Sequence, residues 1–441
     1  MKKSLLTAAC IALISGIAFG QAQETSAAQI NSGDTAWLLT GAALVMLMTP
    51  GLAFFYGGLV RRKNVLSVLM QCFTILCLVT IQWVLFGYSL AFGPDIRGFI
   101  GNLHWAGLAH VGTAAHAVYM PTVPHQAFMI FQAMFAVITP ALIIGAFAER
   151  MRFLPFCIFT FSWVTLVYCP VAHWVWADKG LFGTFGGMGA LDFAGGAVVH
   201  INAGMAALAA AVMLGRRQGA PAKISPPHNL PFAVLGAGLL WFGWFGFNSA
   251  SAGSSGQLAA GAFVVTHVAA AAAGITWSVL DIVFNKRATV LGVITGIVAG
   301  LVAITPAAGF VTPMGAIAIG FGAGIGCYIF VSVMKPIFGY DDALDAFGVH
   351  GIGGIWGAIA TGIWATKLVN PGGADGLLYG NPVQLWIQVK TVLATMAYSF
   401  VVSIILLKLI DLVCSLRASD QNERIGLDLS EHREVGYTLL D

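Results

Sequence analysis

Charge is what this chain of 441 residues has least of: Asp, Glu, Lys and Arg together make up 9% of it, with a formal net charge of +3. A water-soluble globule carries about 25% charged residues, so that class is excluded. The small positive excess is spread over connecting segments and does not form a nucleic-acid surface. Paired cysteine spacing is also missing. Cys10, Cys72, Cys77, Cys157, Cys169, Cys327 and Cys414 show no CxxC and mostly sit in apolar runs, which argues against a disulfide framework or a zinc ribbon. No cofactor fingerprint stands out.

What the chain has instead is apolar length, with 58% hydrophobic residues and a mean hydropathy of +0.86. It reads as an all-α polytopic membrane protein. The opening MKKSLLTAACIALISGIAFGQAQ has a basic start, an apolar run and a small-residue exit, so residues 1–22 are expected to be a cleaved signal peptide. This leaves a membrane domain over 23–416 and a polar tail over 417–441. A bilayer needs about 20 apolar residues per helix. Eleven segments qualify, at 35–59, 66–92, 125–148, 153–175, 192–214, 231–250, 257–284, 289–305, 311–334, 347–366 and 384–413.

Lys and Arg concentrate in cytoplasmic loops, which tests that count. With the N-terminus outside, the inner connections and tail hold Arg61, Arg62, Lys63, Arg150, Arg152, Arg216, Arg217, Lys223, Lys286, Arg287, Lys335, Arg417, Arg424 and Arg433. The outer ones hold Arg97, Lys179 and Lys367, which makes fourteen against three. Five spans per half force the second half to sit inverted, with the last long helix added. Inverted repeats commonly enclose a pathway. Ala-Leu-Asp recurs at 190–192 and 343–345, ahead of His200 and His350, although the spacing to histidine is eight residues in one half and five in the other.

Ionisable groups at lipid depth are costly and call for a reason. A single membrane histidine is commonly just a hydrogen bond between helices. Two in corresponding halves suit a proton relay, because imidazole titrates near neutrality. No third His, Cys or carboxylate lies at ligand spacing, and zinc takes three or four protein ligands, so a metal enzyme is the weaker alternative. Asp192 and Asp345 stand where helix N-caps are expected. Asp192 is also placed to favour an arriving cation beneath an outer vestibule. Trp174 and Trp176 stand at a span edge, where an interfacial belt is the default, yet an indole face also holds small cations. With Phe131, Gln132, Phe135, Phe247 and Ser251 they form a candidate cage above an apolar constriction. Glycines flank both histidines, at Gly195, Gly196, Gly204, Gly351, Gly353 and Gly354. Such small residues let membrane helices approach closely.

These stretches, PGLAFFYGGLVRRKNVLS at 50–67, FGYSLAFG at 86–93, FQAMFAVITPALIIGAFAERMRF at 131–153, ALDFAGGAVVHINAG at 190–204, GWFGFNSASAG at 243–253, GLVAITPAAGF at 300–310 and DAFGVHGIGGIWG at 345–357, run in order through the mature chain. They resemble the ammonium transporter family (Amt/MEP/Rh), in its bacterial Amt branch. The resemblance implies a homotrimer in the inner membrane with one pore per subunit, external N-terminus and cytoplasmic C-terminus. It implies an ammonium recruitment site at Trp176, Ser251 and Phe135 supported by Asp192, and a Phe135/Phe247 gate. It further implies His200 and His350 as twin pore histidines, and Thr305 near the outer side of the path. Ammonium, and methylammonium as an analogue, would be deprotonated near the gate, with ammonia crossing and the proton relayed separately. GLDLSEHRE in the tail implies contact with neighbouring subunits and a PII-type (GlnK-like) signalling protein, and leaves open a sensor acting through such a partner. The connection 94–124 departs from the family; His104, His110 and His116 there are expected to be exposed. SASAG at 249–253 also departs slightly.

Overall fold

The computed structural model describes residues 29–219 and 226–437; the expected signal 1–22 and Lys223 lie outside them. The chain is a helical bundle. Among the described residues nine helices are long and apolar enough to cross a membrane. In order these are α1 Ser32–Leu59, α2 Arg62–Phe92, α3 His125–Phe147, α4 Phe153–Trp176, α5 Gly196–Leu214, α6 Leu230–Ala252, α7 Gln257–Asn285, α9 Pro313–Phe338 and α11 Pro382–Val413. Two shorter elements fall where the sequence expects the eighth and tenth spans: α8, Val290–Ile304, and α10, whose first turn Phe347–Gly351 runs into Ile352–Trp364.

Helix α3 is the central strut, with 94% of its apolar stretch buried against 33% for α9 and α11, which present Phe321, Ile325, Leu393 and Val401 outward. With no water in a bilayer core, each backbone polar group must be satisfied inside the protein. Pro140 has no N–H to give the Ala136 carbonyl four residues back, and in the same turn Thr139 adds its hydroxyl to the neighbouring Phe135 carbonyl at 2.6 Å. The inverted halves meet through matching partners. Helix α1 packs on α6, and α5 packs on α10. Gly204 of α5 lies against Gly351 of α10, while Gly354 of α10 lies against His200 and Ile201, which is the same contact seen from the other half. Both histidine helices open with a widened π-type turn, Gly196–Ile201 and Phe347–Gly351, and such turns are frequent at functional sites.

The connection before α3 forms a lid at one face. A short hairpin pairs Asp95–Ile96 with Ile100–Gly101, and Trp105, His116 and Tyr119 pack around His125, whose Nε2 meets the Tyr88 hydroxyl at 2.5 Å. His104 and His110 are exposed as expected, their rings stacked at 4.5 Å. His116 is not: it is half-buried between Trp105 and Tyr119, and burial pulls its imidazole below the usual value against the opposing influence of Asp178.

The other face carries the tail, α12 Asp420–Ile425 and α13 Leu427–His432. Asn64 accepts the Leu427 N–H at 2.8 Å and Asp428 accepts that of Ser67 at 2.8 Å. The fully buried Glu423 accepts from Gln218 at 2.7 Å and from Arg417 at 2.8 Å.

Candidate functional site

The site is a file of rings through the bundle. Trp176, on the last residue of α4, meets Phe135 of α3 edge-on at 5.9 Å between centroids. Phe135 lies against Phe247 of α6 at 4.2 Å. Phe247 lies 6.0 Å from His200 of α5, and His200 stacks on His350 of α10 at 5.4 Å with planes 14° apart. The sequence places these residues in five separate segments, and the fold brings all five together. Phe131 flanks Phe135 at 4.9 Å, and Gln132 is buried beside it.

Around the pair Phe135 and Phe247 exposure falls to 1% or less. A ring contact at 4.2 Å leaves no passage in this conformation, so a solute must move at least one ring. Beyond it, Nδ1 and Nε2 of His200 and Nδ1 of His350 are buried with no protein hydrogen-bond partner. Leaving a buried polar atom unpaired costs about 1–3 kcal/mol. A structural histidine would find a carbonyl or a hydroxyl; these rings stack on each other and on Trp244 and Phe247, and those three nitrogens stay unpaired.

Asp192, expected to begin α5, instead sits four residues ahead of it, since the helix starts at Gly196. Gly195 takes a left-handed φ of 117°, turning the chain so that the Asp192 carboxylate faces the helix end. It accepts N–H groups of Gly195, Gly196, Ala197 and Val198 at 2.8, 2.5, 2.8 and 3.2 Å. The first turn of a helix has unpaired donors, and one carboxylate satisfies four here. Trp176 donates its indole N–H to the Asp192 main-chain oxygen at 2.9 Å, which fixes the ring at the mouth. Ser251, half-buried on the last turn of α6, donates to the Phe247 carbonyl at 2.8 Å and keeps its lone pairs free.

The expected cap Asp345 is a correction. Asp345 adopts φ 60° and pairs with Lys335 at 2.5 Å. The cap of α10 is Asp342, which accepts from Ala346 and Phe347 at 3.0 and 2.7 Å. Asp342 precedes His350 by eight residues, as Asp192 precedes His200, so the spacing is preserved between the halves. Matching Ala-Leu-Asp text had aligned the wrong aspartate.

Sequence reasoning also missed Trp244. Its ring stacks on His200 at 5.4 Å, and its N–H donates to the Thr305 hydroxyl at 2.9 Å. Thr305 in turn donates to the Leu301 carbonyl at 2.8 Å. Thr305 thus touches the path through Trp244. The helical spacing of Trp244 and Phe247, three apart on α6, was the available signal.

On the tail face His350 opens into a cavity of about 370 Å³ that also reaches Arg217, Asp281, Lys335 and Asp345. Its rim is tied by charge. Glu149 binds Arg61 at 2.9 Å and Arg217 at 3.3 Å, and Arg217 binds Asp341 at 2.9 Å. Burial alone would raise the Asp341 carboxyl, but the hydrogen bonds and charge of Arg217 outweigh it and hold it at about 2. Glu149 is likewise below its ordinary value, with burial opposed by Arg61 and Arg217.

Fold and site together define a polytopic membrane protein of two inverted halves whose shared core is a ring-lined path ending in paired imidazoles. The Ammonium Transporter Family matches residues 36–437. An ammonium transporter of Bacillus subtilis is 52% identical over 92% of this chain and 98% of its own length. One from Aquifex aeolicus is 46% identical over 96% of this chain and 97% of its own length. Among solved structures, Saccharomyces cerevisiae Mep2 is 36% identical, covers 89% of each chain and superposes with a TM-score of 0.83. A structure titled Sensor Amt Protein is 30% identical, covers 91% of this chain and 98% of its own, with a TM-score of 0.82. The chain belongs to the ammonium transporter family.

Proposed function

We propose that this protein takes up ammonium, and methylammonium as an analogue, across the inner membrane. Trp176, Phe135 and Ser251 recruit the cation, with Asp192 holding Trp176 in place and adding negative charge behind it. Phe135 and Phe247 form the gate. Ammonium gives up its proton near that gate, ammonia passes the apolar segment, and His200 and His350 relay the proton separately, which makes transport electrogenic. The physical reason is the cost of a bare ion in a dry pore, from a few kcal/mol to more than ten. Ammonium avoids it by losing a proton and potassium does not have that route. The observation that carries this reading is the unbroken file Trp176, Phe135, Phe247, His200, His350 with its unpaired imidazole nitrogens.

The same reading places the lid face outside and the tail face in the cytoplasm, with a signal peptide over 1–22, a membrane domain over 23–416 and a tail over 417–441. It assembles as a homotrimer, and the tail receives a PII-type signalling protein. Currents from proteoliposomes on a solid support test it: ammonium evokes current and potassium does not, and the double variant His200→Ala, His350→Ala loses current or selectivity. Full current with full discrimination in that variant removes the relay. A sensor is the second reading, favoured by the 30% identity to the structure titled Sensor Amt Protein. Robust ammonium current in the pure protein tells against it.

A further inference from the structure

The two ends of the path are built on one plan with one exchange. At the lid face the carbonyl of the capping aspartate, Asp192, accepts the Trp176 indole N–H at 2.9 Å. At the tail face the carbonyl of the matching cap, Asp342, accepts Lys335 Nζ at 2.6 Å. Each donor lies near the end of the helix that precedes the capped one, α4 and α9. Lys335 Nζ also meets Asp345 Oδ1 at 2.5 Å, and Asp345 holds a left-handed φ of 60° to present that oxygen. Aspartate is among the few residues that take this backbone readily. Lys335 and Asp345 line the same cavity as His350.

The side-chain head of lysine is an alkylammonium with three N–H donors. A carbonyl and a carboxylate oxygen are in short contact with that head, on the wall of the cavity that His350 also lines, which is the donor-acceptor pattern an ammonium ion would need. We propose that Lys335 is a tethered ammonium occupying the tail-face counterpart of the recruitment site, so that free ammonium binds the path from the Trp176 end and is excluded from the Lys335 end. Tethering gives the head an effective concentration in the millimolar range or above, against which dilute free ammonium competes poorly. The exchange of an indole for an ammonium makes the mouths unequal: one leaves an aromatic face open to a cation, the other supplies its own cation. This rests on the assignment of Trp176 as the recruiting residue.

Two measurements test it. In proteoliposomes with the orientation resolved, Lys335→Ala lowers the half-saturating ammonium concentration for entry at the tail face about tenfold relative to that at the lid face. Lys335→Arg keeps the wild-type ratio because it retains a tethered cation with N–H donors, whereas Lys335→Met, which has neither, shifts it as Lys335→Ala does. Equal change in both directions in Lys335→Ala, or a wild-type ratio, overturns the proposal. Binding is read separately from transport in detergent, by the shift of the thermal midpoint with ammonium, potassium or sodium chloride. Ammonium stabilises Lys335→Ala beyond wild type, and the added Asp345→Asn change abolishes the gain. Equal stabilisation by potassium, or none by ammonium, overturns the proposal whatever the currents show. Absence of current in the wild type would instead sink the transport reading and leave this binding test standing.

Discussion

Gly204→Ala is the sharpest perturbation that this packing offers. A Cβ at position 204 would lie 2.3 Å from Gly351 Cα and 2.4 Å from its nitrogen, where ordinary contact starts near 3.4 Å. Both neighbours are backbone, so no side chain can swing aside. The helices bearing His200 and His350 must part by about 1 Å, and overpacking of this kind costs about 1–3 kcal/mol. It acts on two rings now 5.4 Å apart, and a displacement of about 1 Å at a functional centre can cost on the order of a hundredfold in rate. The expected result is a lower thermal midpoint and ammonium current reduced by about tenfold or more. Gly238→Ala is the matched control: it is helical, nothing lies within 4 Å of its added Cβ, and replacing glycine in a helix gains about 1 kcal/mol. Should Gly204→Ala match Gly238→Ala in both stability and current, close approach of α5 and α10 does not set the histidine pair.

Asp192→Asn keeps one acceptor oxygen but turns an amide towards two of the four N–H groups, which costs about 2–6 kcal/mol at about 1–3 per unpaired donor; a thermal midpoint within a degree of wild type would contradict the capping geometry. Trp244→Phe keeps the stack on His200 but drops the hydrogen bond to Thr305, so current should fall severalfold while stability changes by about 1 kcal/mol; unchanged current removes Trp244 as a positioning residue. Because the folded Asp341 sits at about 2 against an ordinary 3.8, its stabilising pairing with Arg217 is complete above about pH 4 and disappears as pH falls towards 2. Asp341→Asn should therefore cost about 1–2 kcal/mol at neutral pH, after discounting for partial exposure, and flatten acid unfolding over that window; an acid limb identical to wild type would refute the pairing.

Much of the path was legible because it is written in residues that a membrane span would otherwise avoid. Asp192, His200 and His350 stand out against apolar surroundings, and the ring-bearing segments could be found by their tryptophans and phenylalanines. Helix positions followed from apolar length alone, within a few residues of the observed ends. The start of α5 was placed too early because Asp192 caps at a distance, through a glycine turn that periodicity does not record. Asp342 was missed because a shared tripeptide is a weaker guide than spacing to the histidine. Trp244 and Thr305 were not joined because their hydrogen bond spans 61 residues of sequence. His116 was misplaced since loop membership says nothing about the aromatic lid that covers it.

The tail has a consequence for the order in which the molecule is made. Residues 63–67, in the first turns of the second helix, pair with residues 423–428 across more than 350 intervening positions. A ribosome has added more than 350 further residues before those partners exist. The N–H of Ser67 and the side chain of Asn64 therefore wait for these partners until α11 has been made, and α12 and α13 act as a clasp that shuts this face late. A nascent chain stalled before Leu427 would carry all its apolar helices and still lack that closure.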